Sequence, residues 1–254
     1  MKIFSYNVYG LPFNSDSLAV PLANWFEGCD YDFICLQEVF TNGRIDVLTK
    51  ALVKNGYAVL KPDDFKARTN LLGSGLLTGI KKRSWKIKTD SFVQFSSSVG
   101  AECLANKGFH CIELEHKSTK LPLHLINTHM QSDNPTTYIF GCIDTKPIRH
   151  SQSQQLYDHL AKYKNIRSLI VGDLNCEVES HDKIKHLTGQ MNGIYKHTFM
   201  ATGEDLDHVA IIPEFWKRFN HPIVRNVSVL TKLSWSDHWP IHVELDVELG
   251  KLRK

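Results

Sequence analysis

Two kinds of hydrophobic segment alternate along the chain, and they differ in length and in the spacing of their apolar residues. Short segments that are apolar throughout or at every second position predict strands, and longer amphipathic segments predict helices. Strands are predicted at 2–7, 31–37, 75–80, 85–95, 108–115, 121–128, 168–172, 206–211 and 241–246, and helices at 17–29, 42–55 and 149–163. This order predicts an α/β protein with a mixed sheet system flanked by helices, in one domain over residues 1–254. Residues 132–147 form the loosest stretch.

Composition and charge narrow the class of protein without indicating a function. Of the 254 residues, 42% are hydrophobic and 22% are charged, which is typical of a globular protein. No apolar run approaches the ~18 residues of a membrane span, and the N-terminal residues lack the pattern of a signal peptide. The net charge of +3 is too small to favour nucleic acid binding. The six cysteines show no C-x-x-C spacing, so we expect them to be mostly reduced, in an intracellular monomer that is soluble or peripherally bound to membrane.

Polar residues stand at the ends of several predicted strands. These residues are Asn7, Glu38, His129, Asp173 and Asn175, which follow strands, and Asp207, Asp237 and His238, which open or precede them. Ligand sites in open α/β sheets form beyond the carboxyl ends of the strands. If the last strand runs antiparallel to its neighbours, its beginning lies at that same edge. The sequence therefore predicts one shared site.

The predicted site contains groups suited to phosphate chemistry. Oxygen donors from Glu38, Asn7, Asp173, Asn175 and Asp237 suit Mg²⁺, with Mn²⁺ as an alternative. Two histidines, His129 and His238, can transfer protons near neutral pH, and Asp207 can orient one of them. Each strand end taken alone is more often structural, and only their combination predicts metal-assisted phosphodiester hydrolysis. The motifs of nucleotide-binding loops, zinc proteases and serine hydrolases are absent from the sequence.

The motifs also resemble a known family. The chain resembles the endonuclease/exonuclease/phosphatase superfamily, the DNase I-like metal phosphohydrolases, in six motifs. In sequence order these motifs are "SYNVYGLP", "LQE", "NTH", "GDLN", "LDH" and "SDHWP". The resemblance implies a four-layer α/β sandwich of two packed mixed β-sheets flanked by helices. It implies that Glu38 binds Mg²⁺ beside Asn7, and that Asp173 and Asn175 position phosphate and water. It further implies that Asp207 orients His238 as the base and that His129 is the acid or a phosphate stabiliser.

Three further segments resemble the neutral sphingomyelinases within that superfamily. These are "NVYGLP", "NTHMQSD" and "RHSQSQQL", the last with Arg149 and Gln152 as candidate phosphate-binding residues. In "GAECLANKGFHCIEL", Glu102 precedes Lys107 by five positions and stands where Asp is usual. These two residues are candidates for a regulatory or substrate contact, although Lys107 could instead cap a strand edge. The resemblance implies a phospholipase C that converts sphingomyelin to ceramide and phosphocholine.

A phospholipid substrate would require contact with a membrane surface. Candidate contacts are Tyr138, Ile139 and Phe140 in "TTYIFG", and Trp85 among the basic residues of "KKRSWKIK". The alternatives are a small satellite core for the first segment and a solvated strand edge for the second. Alternative functions are a nuclease or phosphoinositide phosphatase of the same fold, with nucleic acid the less favoured partner, or a non-catalytic binding module.

Overall fold

Two six-stranded mixed sheets form the centre of the protein in a computed structural model, which describes residues 1–11, 14, 16–62, 71–133, 144–163, 166–176, 182–188 and 197–247. The first sheet has the strand order β11-β12-β1-β2-β4-β3. Its strands are β1 (Lys2–Gly10), β2 (Phe33–Val39), β3 (Tyr57–Leu60), β4 (Leu77–Lys81), β11 (Ile223–Val229) and β12 (Ile241–Asp246). Strands β1 and β2 are parallel, whereas β12 pairs with β1 in the antiparallel sense.

The second sheet has the same design. Its order is β5-β6-β7-β8-β10-β9, with β7 and β8 parallel and β10 antiparallel to β8. The strands are β5 (Trp85–Gln94), β6 (Gly108–His116), β7 (Pro122–His129), β8 (Arg167–Asp173), β9 (Lys185–His186) and β10 (Asp207–Ile211). In each sheet, therefore, two parallel strands end at the same edge where an antiparallel neighbour begins.

Three apolar cores separate the layers. The central core lies between the sheets, where Ile3 and Phe33 of the first sheet join Leu125 and Val171 of the second in one cluster. A second core covers the outer face of the first sheet beneath α1 (Ala19–Trp25) and α2 (Asn42–Lys54). A third lies between the second sheet and α3 (Lys146–Leu160). The layers are thus helix, sheet, sheet and helix, so the predicted four-layer sandwich is confirmed.

The nine predicted strands and three predicted helices are all found, with boundaries that differ by a few residues. The first helix is shorter than the predicted 17–29, because the chain turns after Trp25 and Gly28 has a φ of +87°, which favours glycine. The sequence patterns missed β3, β9 and β11. Five of the six cysteines lie in the described ranges, and the thiols of Cys29, Cys35, Cys103 and Cys111 are free of disulfides. In the part of the chain that the structure describes, no helix combines the length and hydropathy needed to cross a bilayer.

Trp85 corrects one prediction. Its side chain is only 3% exposed, its ring packs 5.0 Å from that of Phe33, and its Nε1 donates to Asp32 Oδ1 at 3.1 Å. The neighbouring Arg83, Lys86 and Lys88 are exposed around it. Trp85 is thus a core residue beneath a charged surface and cannot reach a lipid headgroup in this fold.

Candidate active site

The predicted strand-end residues meet at one edge of the sandwich. Strand β12 begins beside the end of β1 because the two strands are antiparallel, as the sequence argument required. Asp207 lies opposite Asp173 in the β8–β10 pair, and His129 lies beside Asp173 in the β7–β8 pair. The two sheets contribute Asn7, Glu38, Asp237 and His238 from one side and His129, Asp173, Asn175 and Asp207 from the other.

An Asp–His pair forms the most strongly charged part of the site. The Nδ1 atom of His238 lies 2.7 Å from Oδ2 of Asp207, and both side chains are buried. Burial alone lowers the pKa of His238, but the carboxylates of Asp207 and Asp173 outweigh it and raise this pKa to about 10. Because Nδ1 is engaged, Nε2 is the nitrogen left to exchange a proton, and it lies 3.7 Å from Asp173 Oδ2.

Asp173 lies between the two histidines. Its Oδ2 is 3.5 Å from His129 Nε2 and accepts a hydrogen bond of 2.9 Å from Asn7 Nδ2, while Oδ1 accepts from the backbone N–H of Asn175 at 3.0 Å. Burial, and then the negative charge of Asp207, raise the pKa of Asp173, whereas the positive charge of His238 lowers it. Asp173 is therefore held at the centre of the site by donors from both sheets.

Asn7 links two carboxylates of the site. Its Nδ2 also donates to Glu38 Oε1 at 2.9 Å, so the amide bridges two carboxylates as a donor. Its Oδ1 accepts from the backbone N–H of Tyr9 at 3.0 Å. In this arrangement, therefore, the Asn7 amide positions Glu38 and Asp173, and one of the two lone pairs of its oxygen is engaged with the backbone.

Glu38 presents one carboxylate oxygen without a partner. Its Oε1 is bound by Asn7 and lies 3.9 Å from His129 Nε2, whereas the buried Oε2 has no hydrogen-bond partner among the described residues. Burial raises the pKa of Glu38, and the positive charge of Lys107 opposes this effect. Glu38 and Asn175 also have positive φ angles of 58° and 51°. Such strained conformations of residues other than glycine cluster at functional sites.

His129 is held by a buried lysine. The Nζ atom of Lys107 donates to His129 Nε2 at 2.7 Å and to Met130 O at 3.0 Å, and it forms an ion pair with Glu102. Burial, followed by the positive charges of Lys107 and His238, lowers the pKa of His129 well below its usual range. His129 is therefore neutral in this arrangement and accepts a hydrogen bond, which does not suit the predicted role as an acid. Lys107 belongs to the site rather than capping a strand edge.

Asp237 lies at the rim of the site and is half-buried. The hydroxyl of Ser236 donates its one hydrogen to Asn7 O at 2.7 Å, and its Oγ lies 3.2 Å from Asp237 Oδ1. Burial raises the pKa of Asp237, and His238 lowers it. In the sequence Ser236 stands out only as a neighbour of Asp237 and His238. Its hydroxyl nevertheless fastens the loop that carries these two residues to the end of β1.

Arg149 and Gln152 contact the segment that follows β7 rather than the carboxylate cluster. The guanidinium of Arg149 donates to both carboxylate oxygens of Asp133 and to Gln131 O, and Gln152 Oε1 accepts from the backbone N–H of Gln131 at 2.9 Å. Both side chains are buried. Their predicted role as phosphate ligands is corrected to one of holding residues 131–133. Tyr138, Ile139 and Phe140 lie outside the described residues.

The donor atoms present fit a hard divalent cation. The buried Oε2 of Glu38 belongs to a carboxylate that shares the Asn7 amide with Asp173, and carboxylate oxygens are the ligands that Mg²⁺ and Mn²⁺ prefer. Ligand atoms of Asp173, Asp207 and His238 also lie within 4.8 Å of one another. Since Asp207 is committed to His238, Glu38 and Asp173 are the two carboxylates best placed to hold a cation.

Comparisons with known proteins agree with this architecture. Neither a protein-family model nor a curated protein matches the sequence. Among solved structures, a beta toxin of Staphylococcus aureus is 21% identical, with a TM-score of 0.76 over 96% of this chain and 99% of that chain. Sphingomyelinase C of Streptomyces griseocarneus is 18% identical, with a TM-score of 0.73 over 96% of this chain and 98% of that one.

A third structure is that of D. rerio TDP2 with a single-strand DNA product, which is 16% identical, with a TM-score of 0.71 over 97% of this chain and 99% of that chain. A further structure of the beta toxin contains bound magnesium ions. The similar structures thus include a sphingomyelinase and a protein in complex with DNA. The chain therefore has the DNase I-like α/β sandwich fold, as its motifs predict.

Proposed function

We propose that the protein is a Mg²⁺-dependent phosphodiesterase that hydrolyses sphingomyelin to ceramide and phosphocholine. The observation that carries the proposal is the buried Asp207–His238 pair, whose Nε2 faces Asp173, next to a Glu38 oxygen without a partner. An oriented imidazole beside oxygen ligands is the combination that metal-assisted hydrolysis of a phosphodiester requires. Mg²⁺ is supported by the donor atoms and by the magnesium ions of the beta toxin structure, and Mn²⁺ suits the same donors.

The residues of the chain divide the work as follows. Asp207 fixes the ring of His238 so that Nε2 takes up and releases the proton of the attacking water. Asn7 holds Asp173 and Glu38 in place, and these two carboxylates would hold the cation. When bound, the cation neutralises charge on the phosphate and opposes protonation of His238. The ammonium of Lys107, whose charge Glu102 offsets, holds neutral His129 on the side where the leaving oxygen would gain negative charge.

Sphingomyelin is favoured as the substrate by two observations. Besides the three segments that resemble neutral sphingomyelinases, the segment with Glu102 and Lys107 resembles them as well, and Lys107 joins Glu102 to His129. In addition, one of the similar structures is a sphingomyelinase C. We further propose that the protein contacts the membrane peripherally during turnover, with residues 138–140 as the candidate contact.

The test is phosphocholine release from sphingomyelin vesicles by the purified protein, with Mg²⁺ present or removed by a chelator. We expect release that depends on Mg²⁺ and is lost in His238→Ala. The same preparations are assayed on lysophospholipids, phosphoinositides and single-stranded DNA. Cleavage of DNA without release of phosphocholine would overturn the proposed substrate and favour a nuclease, the alternative that the TDP2 structure supports. If no phosphodiester is cleaved, the catalytic proposal itself is wrong.

A further inference from the structure

Two amide side chains lie fully buried between the sheets, directly behind the catalytic edge. The Nε2 atom of Gln37 on β2 donates to Oδ1 of Asn127 on β7 at 2.8 Å, and neither residue is exposed. Two buried hydroxyls lie beside the pair, with Thr78 Oγ1 at 3.0 Å from Asn127 Nδ2 and Ser5 Oγ at 3.4 Å from Gln37 Nε2, and the rest of the core between the sheets is apolar. Burying two amides in such a core is costly unless they make hydrogen bonds. Their presence there requires an explanation beyond packing.

Asn127 also binds the backbone of the first sheet at the point where the pairing of β2 with β4 ends. The last pair of the β2–β4 ladder is Leu36 with Leu77, and Asn127 Nδ2 lies 3.2 Å from the carbonyl oxygen of each. Two residues beyond Leu36, the chain takes the positive φ of Glu38. A side chain of the second sheet thus binds the backbone of the first sheet just before Glu38.

Each amide is close in sequence to a site residue of its own sheet. Gln37 immediately precedes Glu38, and Asn127 lies two positions before His129, on the same face of β7. Glu38 Oε1 and His129 Nε2 are 3.9 Å apart. Apolar contacts between the sheets are not directional and do not fix how one sheet is offset against the other, whereas a hydrogen bond does.

We propose that Gln37 and Asn127 are positioning residues, whose hydrogen bond across the sandwich sets the separation between Glu38 of the first sheet and His129 of the second. Neither amide touches the substrate. The inference rests on the proposed function, because turnover is its first readout. A crystallographic measurement distinguishes failure of this inference from failure of the proposed function.

The experiment compares Gln37→Leu, Asn127→Leu and the double variant with the wild type, on sphingomyelin or on whichever phosphodiester the wild type cleaves. A site residue misplaced by about 1 Å loses roughly 10²-fold in rate. We expect each single variant to lose about that factor in kcat with little change in KM. The double variant should lose the same factor rather than its square, because the second change removes a hydrogen bond that is already broken. Its melting temperature should exceed that of Asn127→Leu, since the Gln37 amide is no longer left buried with only the long 3.4 Å contact to Ser5 Oγ.

Asn55→Leu is the matched control. Asn55 Nδ2 donates to Phe26 O and Cys29 O, so this residue also binds two backbone carbonyls, but it lies at the opposite end of the β3–β4 pair from the site. We expect Asn55→Leu to lower the melting temperature and to leave kcat unchanged. Losses of kcat that follow the melting temperature in all four variants would overturn the proposal.

Crystal structures of the wild type and the double variant give the second readout. We expect the Glu38–His129 separation to change by about 1 Å in the variant, and an unchanged separation would overturn the proposal. If the wild type cleaves no phosphodiester, the proposed function fails, and this measurement still decides whether the two amides position the sheets.

Discussion

Replacing Gly10 by alanine perturbs the site through the backbone of Glu38. A Cβ added at Gly10 would lie 2.0 Å from Glu38 O and 2.8 Å from Nη1 of the buried Arg44. Real Cβ atoms essentially never come closer than 3.0 Å to such an atom, so the Glu38 carbonyl must move by about 1 Å or β1 must shift away. A misplacement of about 1 Å in a catalytic site costs roughly 10²-fold in rate. We therefore expect Gly10→Ala to lower kcat by about that factor.

The measurement is kcat on the phosphodiester that the wild type cleaves, together with urea unfolding of each protein. Overpacking of this kind costs about 1–3 kcal/mol in the free energy of unfolding, so kcat is compared where every variant is folded. Gly79→Ala is the control, because a Cβ at Gly79 in β4 meets its nearest neighbour, a Leu52 methyl group, at 3.4 Å. If Gly10→Ala turns over like the wild type, the close approach to Glu38 does not position the site.

Three other predictions follow from the geometry and charges. His238→Ala should lower kcat by about 10²–10⁴-fold and keep the circular dichroism spectrum of the wild type; undiminished turnover would remove His238 from the mechanism. At 100 times its Kd, Mg²⁺ should raise the free energy of unfolding of the wild type by about 2.7 kcal/mol, and by less in Glu38→Gln at the same concentration; equal increases would show that Glu38 does not bind the cation. Burial, and then the charge of His208, lower the pKa of His186 to about 2, so the unfolded chain takes up a proton near pH 6.5 that the fold excludes. The free energy of unfolding that this group contributes is present above pH 6.5 and falls by about 2 kcal/mol at pH 5. Urea unfolding at the two pH values should show a smaller fall for His186→Gln than for the wild type. The same fall in both proteins would contradict this prediction.

The elements predicted from the sequence are those whose pattern is set by local burial. The strand predicted at 31–37 and the helix predicted at 42–55 each carry apolar residues on a face that the core covers, so the periodicity is visible in the sequence. Strand β11 was missed because it is an edge strand in which only Val227 is buried, and β9 because it has two residues. Such elements are defined by their pairing with distant strands rather than by their own pattern.

The same distinction applies to the site. Glu38, Asp173 and His238 were found because they stand at strand ends, and the topology of the sheets brings those ends together. The orientation of Asn7 could not be found in this way, since it depends on carboxylates 31 and 166 positions away along the chain. Trp85 was misjudged for a related reason, because the residue that its indole contacts, Asp32, is 53 positions away. Charge patterns near a residue do not reveal which side of a strand the core covers.

The antiparallel pairing of β12 with β1 has a consequence for folding kinetics. Ser236 and Asn7, whose hydrogen bond joins these strands near the site, are 229 positions apart in sequence. Contacts between such distant segments form slowly, because closing a long loop costs entropy before any contact compensates for it. Until that closure occurs, Glu38 and His129 have no His238 beside them, however well β1 to β4 and the second sheet are formed. Recovery of turnover after dilution from denaturant therefore times the docking of β12, and it should lag behind the recovery of the circular dichroism signal.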